Sequence, residues 1–266
     1  MDLDFSEAEV QRYARHILLR EVGGIGQAKL KAASVLIVGA GGLGSPLALY
    51  LAAAGVGRIG IIDPDVLELS NLQRQVAHVT ERLGQPKVHS AAAAMRGINP
   101  LVKIEALAER LDAGNVHRLV AAYDLVCDGT DNFETRFLLA DACVKARRTL
   151  VSAAVLRFEG QLSTFKPHED AKGPCYRCLY PEPPPPGLVP SCSEAGVLGA
   201  VTGVMGTLQA TEVLKEIMGI GESLSGWLVI WDALAAEFRK VRLRRDPACL
   251  VCGNSGLKAD APEHGP

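Results

Sequence analysis

The sequence has little that would direct the protein to nucleic acid, to a membrane or out of the cell. Its 28 lysines and arginines nearly balance its 30 aspartates and glutamates, so the formal net charge is -2. The chain therefore lacks the basic field that is typical of nucleic-acid binding. Its N-terminal segment is acidic and then amphipathic, without the hydrophobic core of a signal peptide. We therefore expect a cytoplasmic protein with no nucleic-acid partner.

Long uncharged runs are also few, and one of them is Ala195–Thr211. This run contains several glycines and is barely long enough for a thin membrane span. It is interpreted as a buried, closely packed helix, and no membrane association is expected.

Seven cysteines are present, but nothing in the sequence points to secretion, so structural disulfides are not expected. Four of them form two CxxC pairs, Cys175 with Cys178 and Cys249 with Cys252. Two such turns can place four thiolates around one zinc ion, which leaves no coordination position open for chemistry. The pattern therefore predicts a structural zinc site that fastens the C-terminal part of the chain to the segment around residue 175.

Residues 34–155 alternate between predicted strands and helices. The β-branched run at 34–40 suits a strand that is buried on both faces, and the helix after it ends at Gly55. Asp112 is predicted to cap a later helix. Further strands are predicted at 58–65, 102–108, 149–154 and the start of DLVCDGTDN, and further helices at 6–20, 26–31, 86–95 and 132–147. This alternation indicates a doubly wound parallel sheet whose ligand site lies at the carboxyl ends of its strands.

After about residue 155 the pattern changes to antiparallel strands, at 158–167 and 226–244, which flank the glycine-rich helix. Between them, residues 181–191 are rich in proline and are expected to form either a mobile crossover loop or a passive linker. The predicted fold is α/β, with a Rossmann-like, mostly parallel sheet that continues into antiparallel strands and a four-cysteine zinc site. The expected parts are a helical arm (1–33), a Rossmann-like part (34–155), an antiparallel part with the zinc site (156–256) and a disordered tail (257–266).

Gly39, Gly41 and Gly44 form a GxGxxG motif directly after a strand and before a helix. Such a turn lets the backbone approach phosphates, and the helix N-terminus offers free N–H groups to anions. Asp63 ends the next strand, where a carboxylate can accept hydrogen bonds from ribose hydroxyls. These features fit NAD and ATP equally well, and a purely structural glycine turn also stays open.

The residues that follow favour a triphosphate. Arg74 and Lys87 add positive charge near the phosphate site, although either one alone could be an ordinary surface cation. Asp131 follows another strand, where it could hold magnesium against phosphate oxygens, cap the next helix, or do both.

These motifs together resemble the MoeB/ThiF/HesA family, the bacterial relatives of the ubiquitin-activating enzymes. The most specific are DPDVLELSNLQRQ and TDNFETR. Others, such as RYARHILL, VLIVGAGGLGSP, CYRCLYPE and CLVCG, occur in order over roughly residues 10–253. The resemblance implies an adenylyltransferase that uses ATP to activate the C-terminal glycine carboxylate of a ubiquitin-like sulfur carrier ending in Gly-Gly. The products would be an acyl-adenylate and pyrophosphate.

The resemblance also implies residue roles. Asp63 would bind ribose, and Asp131 would coordinate magnesium. The phosphates would contact Asn71, Arg74 and Lys87. Residues 34–155 would thus bind the nucleotide, and residues 156–256 would bind the carrier. Arg15 would reach the triphosphate of a neighbouring subunit, which implies a homodimer. Cys192 can accept the activated carrier in some family members and is dispensable in others. The candidate nucleotide-binding residues are Gly39, Gly41, Gly42, Gly44, Asp63, Ser70, Asn71, Leu72, Gln73, Arg74, Gln75, Lys87, Thr130, Asp131 and Asn132.

Two other functions compete with this interpretation. A nicotinamide-dependent oxidoreductase would use the same glycines and Asp63, but it needs a catalytic His, Tyr or Lys constellation that the second half does not display. A non-catalytic scaffold that binds the carrier would not need Arg15, Lys87 and Asp131. The sequence does not reveal whether the carrier serves molybdopterin, thiazole or tRNA thiolation. No rhodanese domain follows Cys252, so a separate sulfur donor is expected.

Overall fold

A computed structural model describes residues 4–170, 172–185, 187–188 and 195–253. The strands in these ranges are β1 (Ser34–Val38), β2 (Arg58–Ile62), β3 (Lys103–Leu107), β4 (Leu125–Asp128), β5 (Thr149–Leu156), β6 (Glu159–Phe165), β7 (Trp227–Asp232) and β8 (Glu237–Arg242). They form one sheet in the order β3-β2-β1-β4-β5-β6-β7-β8. The neighbours from β3 to β5 are parallel, and those from β5 to β8 are antiparallel. The predicted fold class is therefore confirmed.

Helices cover both faces of this sheet. They are α1 (Glu7–Ile17), α2 (Gly23–Ala32), α3 (Gly44–Ala54), α4 (Lys87–Ile98), α5 (Val116–Ala121), α6 (Phe133–Lys145), α7 (Tyr176–Leu179) and α8 (Gly199–Met218). Two short 3-10 helices, Leu69–Asn71 and Thr80–Arg82, lie between β2 and α4. The predicted boundary at residues 155 and 156 falls within β5, and the division of the chain into parts stays a prediction.

The hydrophobic run of β1 is explained by burial on both of its faces. Ile37 packs in a core with α3, α4 and α8, whereas the adjacent Leu36 packs in a second core with α5 and α6. Both side chains are fully buried. A strand between two helical layers has no solvent face, so its sequence is continuously apolar instead of alternating.

The uncharged stretch Ala195–Thr211 contributes to a buried helix, as predicted, but α8 itself begins only at Gly199. Before it, Gly196 has a positive φ of 76° and Val197 bridges to Arg157. Within α8, a Cβ at Gly206 would meet the Leu43 carbonyl and the ring of Pro46, so glycine permits the close packing on α3. Within the described ranges, the structure has no helix that could span a bilayer.

One predicted helix cap is wrong. The N-cap of α5 is Asn115, not Asp112. The Asp112 carboxylate instead accepts the backbone N–H groups of Gly114, at 2.8 Å, and Asn115, at 3.2 Å. It therefore stabilises a turn that precedes the helix, which is the other common use of an aspartate side chain next to its own backbone.

Candidate functional site

The glycine turn connects β1 to α3, and two of its glycines leave no room for a side chain. Gly39 has a φ of +98°, and a Cβ there would lie 2.8 Å from the Gly129 carbonyl oxygen. A Cβ at Gly44 would collide with the Gly39 carbonyl. These two glycines of the motif are thus required by the backbone of the turn itself, which packs against the chain that leaves β4.

Asp63 anchors this turn from the end of β2. One of its carboxylate oxygens accepts the Ala40 N–H at 2.8 Å, and the other accepts the Asp65 N–H at 2.9 Å. Burial raises the pKa of Asp63, while the two backbone hydrogen bonds act in the opposite direction. Asp63 is therefore a fixed acceptor beside the glycine turn.

A cavity of about 240 Å³, called the smaller cavity here, opens at the carboxyl ends of the parallel strands. Lys87, the first residue of α4, lines it and is only 7% exposed. Its ammonium lies 2.7 Å from the Asp65 carboxylate. Of the predicted nucleotide residues, those that line this cavity are Gly39, Gly41, Asp63, Lys87, Thr130, Asp131 and Asn132.

Sequence reasoning missed three charged residues of the smaller cavity, Asp65, Glu109 and Arg110. Glu109 and Arg110 follow β3 at its carboxyl end. The rule that ligands bind at the carboxyl ends of parallel strands could have found them.

A second cavity of about 330 Å³, called the larger cavity here, lies over the first strands of the antiparallel part. Gly42, Arg74 and Gln75 line it, together with side chains from β5, β6 and α7. Gly129, Thr130 and Asp131 line both cavities. The segment 129–131 is therefore the place where the two cavities adjoin.

A buried network fixes the segment 129–131. Asp128, which is 1% exposed, accepts the Thr130 N–H and hydroxyl at 3.0 and 2.7 Å, and the Ser152 hydroxyl at 2.8 Å. The buried Arg136 guanidinium donates to the Thr130 carbonyl. Burial acts to lower the pKa of Arg136, but Asp128 and its other neighbours outweigh it and raise the pKa. The loop is thus held by charge-assisted hydrogen bonds.

The sequence left open whether Asp131 caps α6 or is available to a ligand, and the structure assigns the cap to Asn132. The Asn132 side chain accepts the Thr135 N–H at 2.9 Å and is the N-cap of α6. Asp131 is not the N-cap of this helix, and it is exposed at the junction of the cavities. This placement leaves its carboxylate accessible to a ligand.

The SNLQRQ segment runs beside the glycine turn and is partly structural. Asn71 is buried, and its side-chain oxygen accepts the Glu68 N–H at 3.1 Å. The Arg74 guanidinium donates to the Ser70 carbonyl at 3.1 Å. Six of the candidate residues do not line either cavity, and their predicted ligand contacts stay predictions: Arg15, Gly44, Ser70, Asn71, Leu72 and Gln73.

Arg15 lies exposed on α1. Cys192 lies outside the described residues, as do positions 186 and 189–191 of the proline-rich segment. The described residues of that segment, 181–185 and 187–188, form neither helix nor strand, which agrees with the prediction.

The four paired cysteines come together in one cluster. Their sulfur atoms all lie within 4.8 Å of one another, including Cys175 to Cys249 at 3.6 Å and Cys178 to Cys252 at 3.4 Å. A tetrahedron with Zn–S bonds of about 2.3 Å has sulfur–sulfur edges of about 3.8 Å, so the spacing fits one zinc ion.

The cysteine cluster is tied to the rest of the fold. The Asp246 N–H points at the Cys178 sulfur at 3.4 Å, and such a contact favours a thiolate. Between the first two cysteines, Arg177 forms a bidentate pair with Asp141 of α6, with a closest distance of 2.7 Å. Cys127 and Cys143 are buried in the cores, as expected for small apolar residues.

The fold and the site define a Rossmann-like α/β protein with a glycine turn, two adjoining cavities and a separate four-cysteine cluster. The sequence matches the ThiF family over residues 13–251. The chain therefore belongs to the ThiF family.

Three relatives match this chain over most of its length. The chain is 49% identical to the sulfur carrier protein adenylyltransferase of Thermus thermophilus, over 98% of this chain and 97% of that protein. It is 48% identical to the SAMP-activating enzyme E1 of Haloferax volcanii, over 97% of this chain and 94% of that protein. It is 53% identical to the adenylyltransferase and sulfurtransferase MOCS3 of Bos taurus, over 97% of this chain but only 56% of that protein.

Solved structures share the fold at lower identity. The structure of E. coli MccB with ATP has a TM-score of 0.80 and 24% identity, over 91% of this chain and 75% of that one. PaaA has a TM-score of 0.78 and 23% identity, over 92% of this chain and 77% of that one. This likeness concerns the fold alone.

Proposed function

We propose that the protein uses ATP to adenylate the C-terminal carboxylate of a ubiquitin-like sulfur-carrier protein. The observation that carries this proposal is the junction of two cavities at Gly129–Asp131. The smaller cavity offers a glycine turn, a fixed acceptor and a buried cation to a nucleotide. The larger cavity is mainly apolar and would accept the extended C-terminal end of the carrier. The two reacting groups would meet where the cavities adjoin.

The residues of the smaller cavity fit the parts of ATP. Asp63 would accept hydrogen bonds from ribose hydroxyls, as acidic residues do at this place in Rossmann-like folds. The backbone of the glycine turn and the N-terminus of α3 favour a phosphate group. Lys87 would weaken its ion pair with Asp65 and contact the triphosphate instead. Arg74, on the side of the larger cavity, would face the α-phosphate and the incoming carboxylate.

The reaction brings two anions together, the carboxylate and the triphosphate, so the site must offset negative charge. A carboxylate oxygen of the carrier attacks the α-phosphorus, the bond to the bridging oxygen breaks, and pyrophosphate leaves. The carrier then ends in an acyl-adenylate, whose carbonyl no longer carries the carboxylate charge and has AMP as a good leaving group. Lys87 and Arg74 would offset the charge that builds up on the phosphate oxygens.

Magnesium fits the exposed carboxylate at the junction. Asp131 offers a hard oxygen donor that is not used as the cap of α6. A magnesium ion held there would neutralise charge on the phosphate oxygens. The four-cysteine cluster would hold zinc in a purely structural role, because four thiolates complete its coordination.

The proposal includes partners. The relatives named sulfur carrier protein adenylyltransferase and SAMP-activating enzyme support a carrier protein as substrate. We propose that this carrier ends in Gly-Gly. The antiparallel part would bind this carrier, since the larger cavity opens there. Arg15 lies exposed and lines neither cavity, which supports a role in the site of a second subunit and hence a homodimer. A separate enzyme would donate the sulfur, and the reaction would take place in the cytoplasm.

We propose that Cys192 acts after adenylation. Its thiolate would attack the carbonyl carbon of the acyl-adenylate and displace AMP, which gives a thioester. If the sulfur donor has first converted Cys192 to a persulfide, the same attack by the outer sulfur gives an acyl disulfide and AMP. The Cys192→Ala variant should therefore release pyrophosphate with the carrier at the wild-type rate. Loss of pyrophosphate release in this variant would contradict the separation of the two steps.

ATP–pyrophosphate exchange tests the proposed function. The zinc-loaded protein should catalyse exchange with magnesium and a Gly-Gly carrier, and it should not do so with the same carrier shortened by its last glycine. Testing carriers of molybdopterin, thiazole and tRNA-thiolation routes in turn would identify the pathway. ATP binding without exchange with any carrier would favour a scaffold, and binding of NADH but not ATP would favour an oxidoreductase.

A further inference from the structure

His78 is a buried histidine that the proposed reaction does not use. The His78 backbone N–H donates a hydrogen bond to the Gln75 carbonyl, three residues earlier. The residue is only 6% exposed. Its Nε2 lies 3.0 Å from the carbonyl oxygen of Ala40, in the glycine turn. Its Nδ1 lies 2.9 Å from the hydroxyl of Ser90, in α4. The ring thus links the turn to the helix that begins with Lys87.

The two partners determine the state of the ring. A carbonyl oxygen can only accept, so Nε2 carries the hydrogen and donates it to Ala40. Burial lowers the pKa of His78, with the Ala40 hydrogen bond acting against this effect. The ring is then neutral near pH 7, and Nδ1 accepts the Ser90 hydroxyl hydrogen. The Ala40 carbonyl therefore determines the tautomer, and the Ser90 hydroxyl, which can donate, is compatible with it.

The hydrogen bond to Ala40 also fixes the next N–H group. The Ala40–Gly41 peptide is trans, so its C=O and N–H point in opposite directions. With the carbonyl directed at His78, the Gly41 N–H points away from the ring, and Gly41 lines the smaller cavity. Asp63 holds the preceding N–H, that of Ala40, at 2.8 Å. The peptide planes on either side of Ala40 are thus each held by one buried side chain.

We propose that His78 is a positioning residue that aims the Gly41 N–H at the phosphates of the bound nucleotide. This inference rests on the proposed function, because it assumes that the smaller cavity binds ATP. A backbone donor held in advance costs no reorganisation when the phosphate arrives. His78 acts through Ala40 and Gly41 and does not touch the nucleotide itself.

Binding of magnesium-ATP and of adenosine to the full-length protein, measured by calorimetry without carrier, tests the inference. His78→Leu should bind ATP about tenfold more weakly, the upper end of what one hydrogen bond contributes, with adenosine binding nearly unchanged. His78→Gln should recover most of the affinity, since its side-chain amide can donate to the Ala40 carbonyl. Ser90→Ala keeps the hydrogen bond to Ala40 but removes the second contact that holds the ring, and it should weaken ATP binding by a smaller factor.

A matched control separates positioning from general stability. Asn99 is fully buried, caps the other end of α4, and donates to the Ala52 carbonyl at 2.8 Å. Asn99→Leu should lower Tm without changing the ratio of ATP to adenosine affinity. Equal losses for ATP and adenosine in the His78 and Ser90 variants, or none for ATP, would overturn the inference. A wild-type protein that binds no ATP would overturn the proposed function, and this inference with it.

Discussion

The buried ammonium of Lys87 lies 2.7 Å from the carboxylate of Asp65, whose side chain is 58% exposed. The pair has one buried and one solvated partner, so Asp65 can turn toward water while Lys87 stays at the wall of the smaller cavity. Lys87 is thus held in place for an anionic ligand before that ligand arrives. The proposed function makes this ligand the triphosphate.

Lys87→Ala should slow adenylate formation by about 100-fold or more, the typical effect of removing a group that stabilises transition-state charge. Single-turnover kinetics with saturating ATP measure this rate directly. Lys103→Ala is the matched control, because Lys103 also pairs with a carboxylate, Glu105 at 3.0 Å, but lines neither cavity. Wild-type kinetics in Lys87→Ala would show that this lysine has no part in the reaction.

The proposed contribution of Arg15 to a second subunit predicts complementation. Arg15→Ala and Asp131→Ala should each be nearly inactive, since each lacks one group at every site. In an equal mixture that has exchanged subunits, about half of the dimers pair the two variants and have one complete site of two, so activity should return to about a quarter of wild type. Arg20→Ala, an exposed arginine just after α1, should stay fully active. No recovery on mixing would argue against a composite site.

Zinc removal should destabilise the protein more than it impairs the chemistry. Cys178→Ser and Cys249→Ser should each lose bound zinc and lower the free energy of unfolding by several kcal/mol, on the order expected for a structural site. Cys143→Ala should keep its zinc, because this cysteine lies in a hydrophobic core. Metal analysis and denaturant unfolding give both quantities. Full zinc content in either serine variant would show that the cluster is not the metal site.

Glu105 predicts how stability changes at low pH. The Arg58 guanidinium, with lesser contributions from Tyr123 and Lys103, lowers the pKa of Glu105 to about 2 against the opposing effect of burial. A lowered carboxyl pKa stabilises the folded state above the ordinary value near 4.5 and loses this effect as the pH falls toward 2. Because the pair is partly exposed, the stabilisation is on the order of 1 kcal/mol.

Glu105→Gln should therefore be less stable than wild type at pH 6, and the difference should shrink as the pH falls from 4.5 toward 2. Unfolding in urea at several pH values measures this difference. In an Arg58→Gln background the same substitution should show little pH dependence, since the partner that lowers the pKa is gone. A difference that is constant with pH would contradict the assigned cause.

Local patterns made much of the fold predictable. The continuous apolar run of β1 and the glycines after it reflect burial and close backbone contact, both of which restrict residue type at each position. The paired cysteines restrict residue type even more strongly, and their cluster forms as predicted. Asp112 was assigned wrongly because a cap and a turn use the same side chain, and only the backbone path distinguishes them.

The junction of the cavities depends on tertiary structure and could not be predicted in the same way. Its shape depends on how β5 and β6 pass beside the loop after β4, which no local pattern reports. The role of His78 could not be predicted from the sequence for a similar reason. Its partners, Ala40 and Ser90, lie 38 and 12 residues away and have no chemical signature of their own.

Mass spectrometry of the carrier tests the central claim most directly. After incubation with ATP and magnesium, a Gly-Gly carrier should gain the mass of AMP at its C-terminal glycine with the wild-type protein. With Asp131→Asn, which keeps the shape of the junction but removes the charge that would hold magnesium, the adduct should be absent while zinc content and Tm stay unchanged. An adduct formed at the wild-type rate by Asp131→Asn would contradict the proposed magnesium site. No adduct with wild type and any Gly-Gly carrier would contradict the proposed function.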